Sequence, residues 1–234
     1  MHDDNPAGRL PVLTVGLIAA CVLVFLWQRS LGDQETIVVY ALGVIPAVLF
    51  EHKALPEELA VVPPWATVFT SMFLHGGWMH LLGNMLYLWV FGDNIEDAMG
   101  HFRFLVFYLL CGIAAVIAQA LPDPESAIPM IGASGAISGV LGAYLLLYPH
   151  SRVLVVVPIG FYLHTMRIAA YWVLGLWFGM QLLSTLLTDS GEGGVAFGAH
   201  IGGFVAGMLL VVLFKRRNVR LFAPVRLSED GRAD

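Results

Sequence analysis

Apolar residues run through the chain in long blocks, and most polar residues fall between them. A bilayer-crossing helix needs about 20 predominantly apolar residues, with about 17–25 tolerated. Six blocks fit or approach that length: 11–28, 78–97, 103–121, 134–148, 168–187 and 196–214. Two other apolar stretches are too short. Residues 37–50 contain Pro46 and read as part of a long membrane-associated loop between helices 1 and 2. Residues 153–163 contain Pro158 and read as an interfacial stretch before the fifth helix. The pattern predicts an all-α polytopic membrane protein with six transmembrane helices.

Composition agrees, with 58% hydrophobic and 12% charged residues, against about 25% charged in a soluble domain. The domain reading is a short N-terminus (1–10), a membrane domain (11–214) and a basic, flexible tail (215–234). The first apolar block reads as a retained helix, because residues 1–9 lack transit-peptide character and no cleavage site follows the block. Cys21 and Cys111 lie within apolar blocks and read as buried free thiols.

The net charge of −5 says little, but its distribution is informative. With six spans, one side carries Arg9, Arg103, Arg152, Arg167, Lys215, Arg216, Arg217, Arg220, Arg226 and Arg232, and the other only Arg29 and Lys53. The positive-inside rule then puts both termini in the cytoplasm. The Lys215-Arg216-Arg217 cluster reads as an anchor on anionic lipid, and no nucleic-acid partner is expected. A bundle without soluble extensions points to a bacterial inner membrane.

The informative polar residues stand inside the apolar blocks. His80 and Asn84, Ser134, and His200 each open a block that runs from outside to inside, so three spans bring polar groups to one depth. Polar groups there are costly unless used. The fourth block is short, at roughly 22 Å against a core of about 30 Å, which sets Ser134 below the outer surface at the floor of a wet cavity. Small residues recur every four positions at Ser134, Ser138 and Gly142, and at Ala199, Gly203 and Gly207, a pattern that lets helix backbones touch.

Chemistry then assigns roles. His200 is the general base for the Ser134 nucleophile. The unpaired amides at the start of helix four, together with His80 and Asn84 on one helix face, are donors for an oxyanion. No acid lies at this depth: Asp93, Glu96 and Asp97 are at the cytoplasmic end of helix two. The expectation is therefore a Ser–His dyad without a carboxylate and without a cofactor. His80 and Asn84 have an alternative role, as a hydrogen-bonded pair tying helix two to its preceding loop.

These residues resemble the rhomboid intramembrane serine proteases over about 11–214. The resemblance rests on Gly132-Ala133-Ser134-Gly135, on Ala199-His200 with Gly203 and Gly207, and on His80 to Asn84 within the stretch beginning at Phe69. It implies a six-helix rhomboid-like bundle around a water-filled cavity. Ser134 and His200 would be catalytic, His80, Asn84 and the Ser134 amide the oxyanion hole, and single-pass transmembrane proteins the substrates. Some relatives place an aromatic residue one turn after the serine, beneath the histidine; here that position is Ser138. The 188–196 loop, with Gly191, Gly193 and Gly194, reads either as a mobile cap over the cavity or as a plain connector.

Competing readings are a transporter-like bundle, a metal site built from His75, His80 and His200, and a non-catalytic binder of membrane helices. The inner half of the bundle lacks a ladder of ionisable groups, and the His-Glu-x-x-His spacing is missing.

Overall fold

The computed structural model describes residues 4–5, 8–159, 162–187 and 196–223. Helix α1 (Val12–Ser30) is followed by three short helices, α2 (Glu35–Leu42), α3 (Pro46–Leu49) and α4 (Pro64–Thr70). Then come α5 (Trp78–Met99), α6 (His101–Ala120) and α7 (Ser134–Leu147). Two strands, β1 (Arg152–Ile159) and β2 (Tyr162–Ala169), precede α8 (Ala170–Leu187) and α9 (Phe197–Phe214).

Among the described residues, four helices (α1, α6, α8 and α9) are long and apolar enough to cross a membrane. Helix α7 is apolar but has only 14 residues, or about 21 Å of helix. It is the central post of the bundle, buried along nearly its whole length between α5, α6 and α9.

Glycines make the α7–α9 contact intimate. A methyl group added to Gly203 would fall on the Gly135 carbonyl oxygen, and one added to Gly207 on the Gly139 carbonyl oxygen. From the other side, one added to Gly142 would strike the Phe204 carbonyl. The α9 stripe expected from sequence is thus in contact. On α7 the contact line runs through Gly135, Ser138, Gly139 and Gly142, which leaves Ser134 off the packed face.

Glu96 ties α5 to the start of α1, where the first amides of a helix lack intrahelical acceptors. Its carboxylate accepts hydrogen bonds from Leu13 N (2.9 Å), Thr14 N (2.8 Å), Thr14 Oγ1 (2.7 Å) and His101 Nδ1 (2.5 Å). At the same end of the bundle, Asp97 lies 4.0 Å from Arg9 and 3.9 Å from Arg216.

Three parts of the chain depart from the sequence reading. Strands β1 and β2 pair antiparallel, with Arg152 opposite Ala169 and Val155 opposite Met166, so the fold is not purely helical and α8 begins at Ala170. The valine-rich stretch of β1 is too short to span, and β-branched residues favour strands. Within 37–50 the backbone coils into α2 and α3, broken at Gly43, where a methyl group would meet the Ile131 side chain at 3.0 Å. The segment read as a flexible tail packs back as far as residue 223. Arg216 N donates to Ala98 O (2.9 Å), Phe222 N to Leu146 O (2.8 Å), and Ala223 N to Leu147 O (2.8 Å). Both cysteines are buried and free. The proposed cap falls on 188–195, outside the described residues, apart from residue 196.

Candidate active site

A cavity of about 1100 Å³ opens among the starts of α5, α7 and α9 and reaches the connecting segment at Asp123 and Ser126. Ser134, His200, His80 and Asn84 all line it. The structure thus brings the four sequence-predicted side chains to one space.

Non-helical backbone delivers Ser134 to this depth. Val44 and Met130 exchange hydrogen bonds (3.0 and 2.7 Å), Ala47 N donates to Ser126 O (3.0 Å), and Gly132 N donates to Ser71 O (2.8 Å). The long connection between α1 and α5 therefore braces the approach to α7. Gly132 turns the chain at φ +122°, a conformation that residues with a Cβ rarely adopt. A Cβ at Gly132 would also lie 2.7 Å from His80 Nε2 and 3.7 Å from Ser134 Oγ, so all three groups crowd one point. Ser138, buried on the packed face, donates its hydroxyl to the Ser134 carbonyl (2.7 Å).

The hydrogen-bond partners of the two histidines call for protons on different ring nitrogens. Gly76 N donates to His80 Nδ1 (3.3 Å). A backbone amide only donates, so a neutral His80 holds its own proton on Nε2, the atom beside Gly132. His200 Nδ1 lies 2.8 Å from Gln181 Oε1 on α8. An amide oxygen only accepts, so this pairing calls for the proton of a neutral His200 on Nδ1, which leaves the lone pair on Nε2. One ring presents a donor and the other a base.

Asn84 is buried, and among the described residues its Nδ2 has no hydrogen-bond partner. Buried polar groups are nearly always satisfied, so such a group asks for an explanation. His75 stands behind His80 at 5.2 Å between ring centroids, with its backbone clamped by Gln28: Nε2 donates to His75 O (2.8 Å) and Oε1 accepts from His75 N (3.2 Å).

Sequence reasoning missed Gln181 and Trp177. The Trp177 ring lies 5.9 Å from His200 at 35°, so an aromatic side chain flanks the histidine from α8 while Ser138 occupies the position on α7. The available signal was a glutamine one turn after a tryptophan in an otherwise apolar span.

The chain matches the rhomboid domain family model over residues 63–217. It is 32% identical over 201 residues to the rhomboid protease GluP of Bacillus subtilis (strain 168), covering 86% of this chain and 35% of that protein. It is 30% identical over 167 residues to the chloroplastic rhomboid-like protein 11 of Arabidopsis thaliana, covering 66% of this chain and 54% of that protein. It spans, then, between about a third and about half the length of these two relatives. Together with its apolar helices, the match makes the chain a multi-pass integral membrane protein. It belongs to the rhomboid family.

Proposed function

We propose that the chain is an intramembrane serine endopeptidase that hydrolyses peptide bonds in or near transmembrane segments of membrane proteins. The observation that carries this reading is that Ser134, His200, His80 and Asn84 line one cavity, with His80 Nδ1 turned to the Gly76 amide and His200 Nδ1 to the Gln181 side chain. The match to a protein named as a rhomboid protease supports it.

His200 Nε2 takes the Ser134 proton as Oγ bonds to the scissile carbonyl carbon. The carbonyl oxygen becomes an anion, held by His80 Nε2–H, Asn84 Nδ2–H and the Ser134 amide at the start of α7. Collapse breaks the carbon–nitrogen bond, and the amine leaves with the proton from His200. Water from the cavity then attacks the acyl carbon, giving a proton to His200, and the serine leaves with it. A fluorophosphonate should form a covalent adduct located at Ser134 by peptide mass spectrometry; an adduct on any other residue would refute the assigned nucleophile.

The reading extends to topology. Helices α1 and α5–α9 cross the membrane as six spans forming the membrane domain of residues 11–214, and the long connection after α1 lies at the outer face. In a bacterial inner membrane, both termini are cytoplasmic, consistent with Arg9 and Arg216 meeting Asp97 at the end away from the cavity. In intact cells an impermeant maleimide should label Lys53→Cys, and Arg217→Cys only after permeabilisation. Labelling of Arg217→Cys from outside would reverse the orientation.

A further inference from the structure

Resting on that catalytic reading, we propose that Gln181 is the positioning residue for His200: its amide oxygen fixes the Nδ1–H tautomer, while Trp177 flanks the ring. The catalytic imidazole is then oriented from α8. A base must present a lone pair to the serine, and a neutral imidazole has only one unprotonated nitrogen. The 2.8 Å bond from Nδ1–H to Gln181 Oε1 reserves Nε2 for that task. In Ser–His–Asp and Cys–His–Asn triads, a carboxylate or an amide is the third member that orients the histidine.

The geometry points to α8 for a second reason. On α7, one turn below the nucleophile, Ser138 has committed its hydroxyl to the Ser134 carbonyl and offers His200 nothing. On α8, Trp177 and Gln181 are spaced i, i+4 and share a face. They meet His200 and Phe204, spaced likewise on α9: Trp177 lies 5.9 Å from His200 and 6.0 Å from Phe204, and Phe178 stacks on Phe204 at 4.5 Å.

That contact is the main attachment of this part of α8. Its fully buried residues, Ala170 and Leu174, lie in the first half of the helix. Gly175 and Gly179 have nothing near them, in contrast to the glycines that seat α9 on α7. The amide that orients the base therefore sits on a helix packed far less tightly than the one bearing the base.

The test compares Gln181→Met, which keeps length and removes the acceptor, with Gln181→Glu, which keeps an acceptor, in the full chain. Turnover of a transmembrane peptide, the fluorophosphonate labelling rate, thermal stability and the 15N signature of the His200 ring would be measured. Gln181→Met should lower kcat and labelling about 10–100-fold, the range known for partners behind metal-bound imidazoles. KM should stay unchanged, Nδ1 should lose its exclusive protonation, and Gln181→Glu should restore most of the rate. Wild-type rates in Gln181→Met, or equal losses in both variants tracking lost thermal stability, would overturn the proposal. Should the wild type take no fluorophosphonate at Ser134, the protease reading fails by itself, and the 15N spectra still decide whether Gln181 sets the tautomer.

Discussion

Chains carrying Ser134→Ala or His200→Ala should each lose turnover by about 10⁴–10⁶-fold, with the double variant no worse than the weaker single one. On the proposed reading nucleophile and base act as one unit, so removing either removes the covalent route and leaves only what binding and oxyanion stabilisation provide. KM should hardly move, because neither group is required to hold a substrate in its ground state. Ser134→Ala should also leave stability within about 0.5 kcal/mol, since it lies off the α7–α9 packing line and removes one hydroxyl facing the cavity. Retention of a tenth of the activity by Ser134→Ala would require another nucleophile in the cavity. Ser138 is poorly placed for that, with its hydroxyl bonded to the Ser134 carbonyl.

Much of this was legible because membrane helices obey a strict economy of polar groups. A serine, an asparagine and two histidines inside apolar blocks stood out, and they lie at the starts of alternate blocks and line one cavity. Gln181 escaped the same logic because α8 runs the other way, so its approach to the cavity comes in its second half rather than its first turns. Glu96 was legible as an acid at the end of its block away from His80, but its partners Leu13 and Thr14 lie more than 80 residues away, so its cap on α1 has no local signature. The strand pair was hidden for a different reason. Strand β2 is exposed on nearly every side chain, so it lacks the alternation that marks a half-buried strand. The close α7–α9 approach was foreseen in its small residues, but its line on α7 shifted by one position, from Ser134 to Gly135. A stripe of small residues fixes which faces can meet, whereas the rotation of the helix depends on its other neighbours.

Replacing Asn84 by alanine should lower kcat by about 10²–10³-fold, the loss typical of one oxyanion donor, while leaving the fold about as stable as before. The two halves of that expectation come from one observation. Nδ2 of Asn84 has no partner among the described residues, so removing this donor breaks no hydrogen bond within the described fold. Its loss therefore spares the fold, while the proposed reading gives the donor its use at an oxyanion. The other role for Asn84, tying α5 to its preceding loop, predicts the reverse: a clear fall in thermal stability with activity lost in proportion. His80 separates the two roles, because its Nδ1 does receive the loop amide of Gly76 while Nε2 faces Gly132 and Ser134. His80→Ala should therefore lose turnover to a similar extent and stability as well. Asn84→Asp supplies the final discrimination. It keeps the shape but aims a carboxylate at the developing negative charge, so it should turn over more slowly than Asn84→Ala. An Asn84→Asp chain faster than Asn84→Ala would remove this side chain from the oxyanion hole.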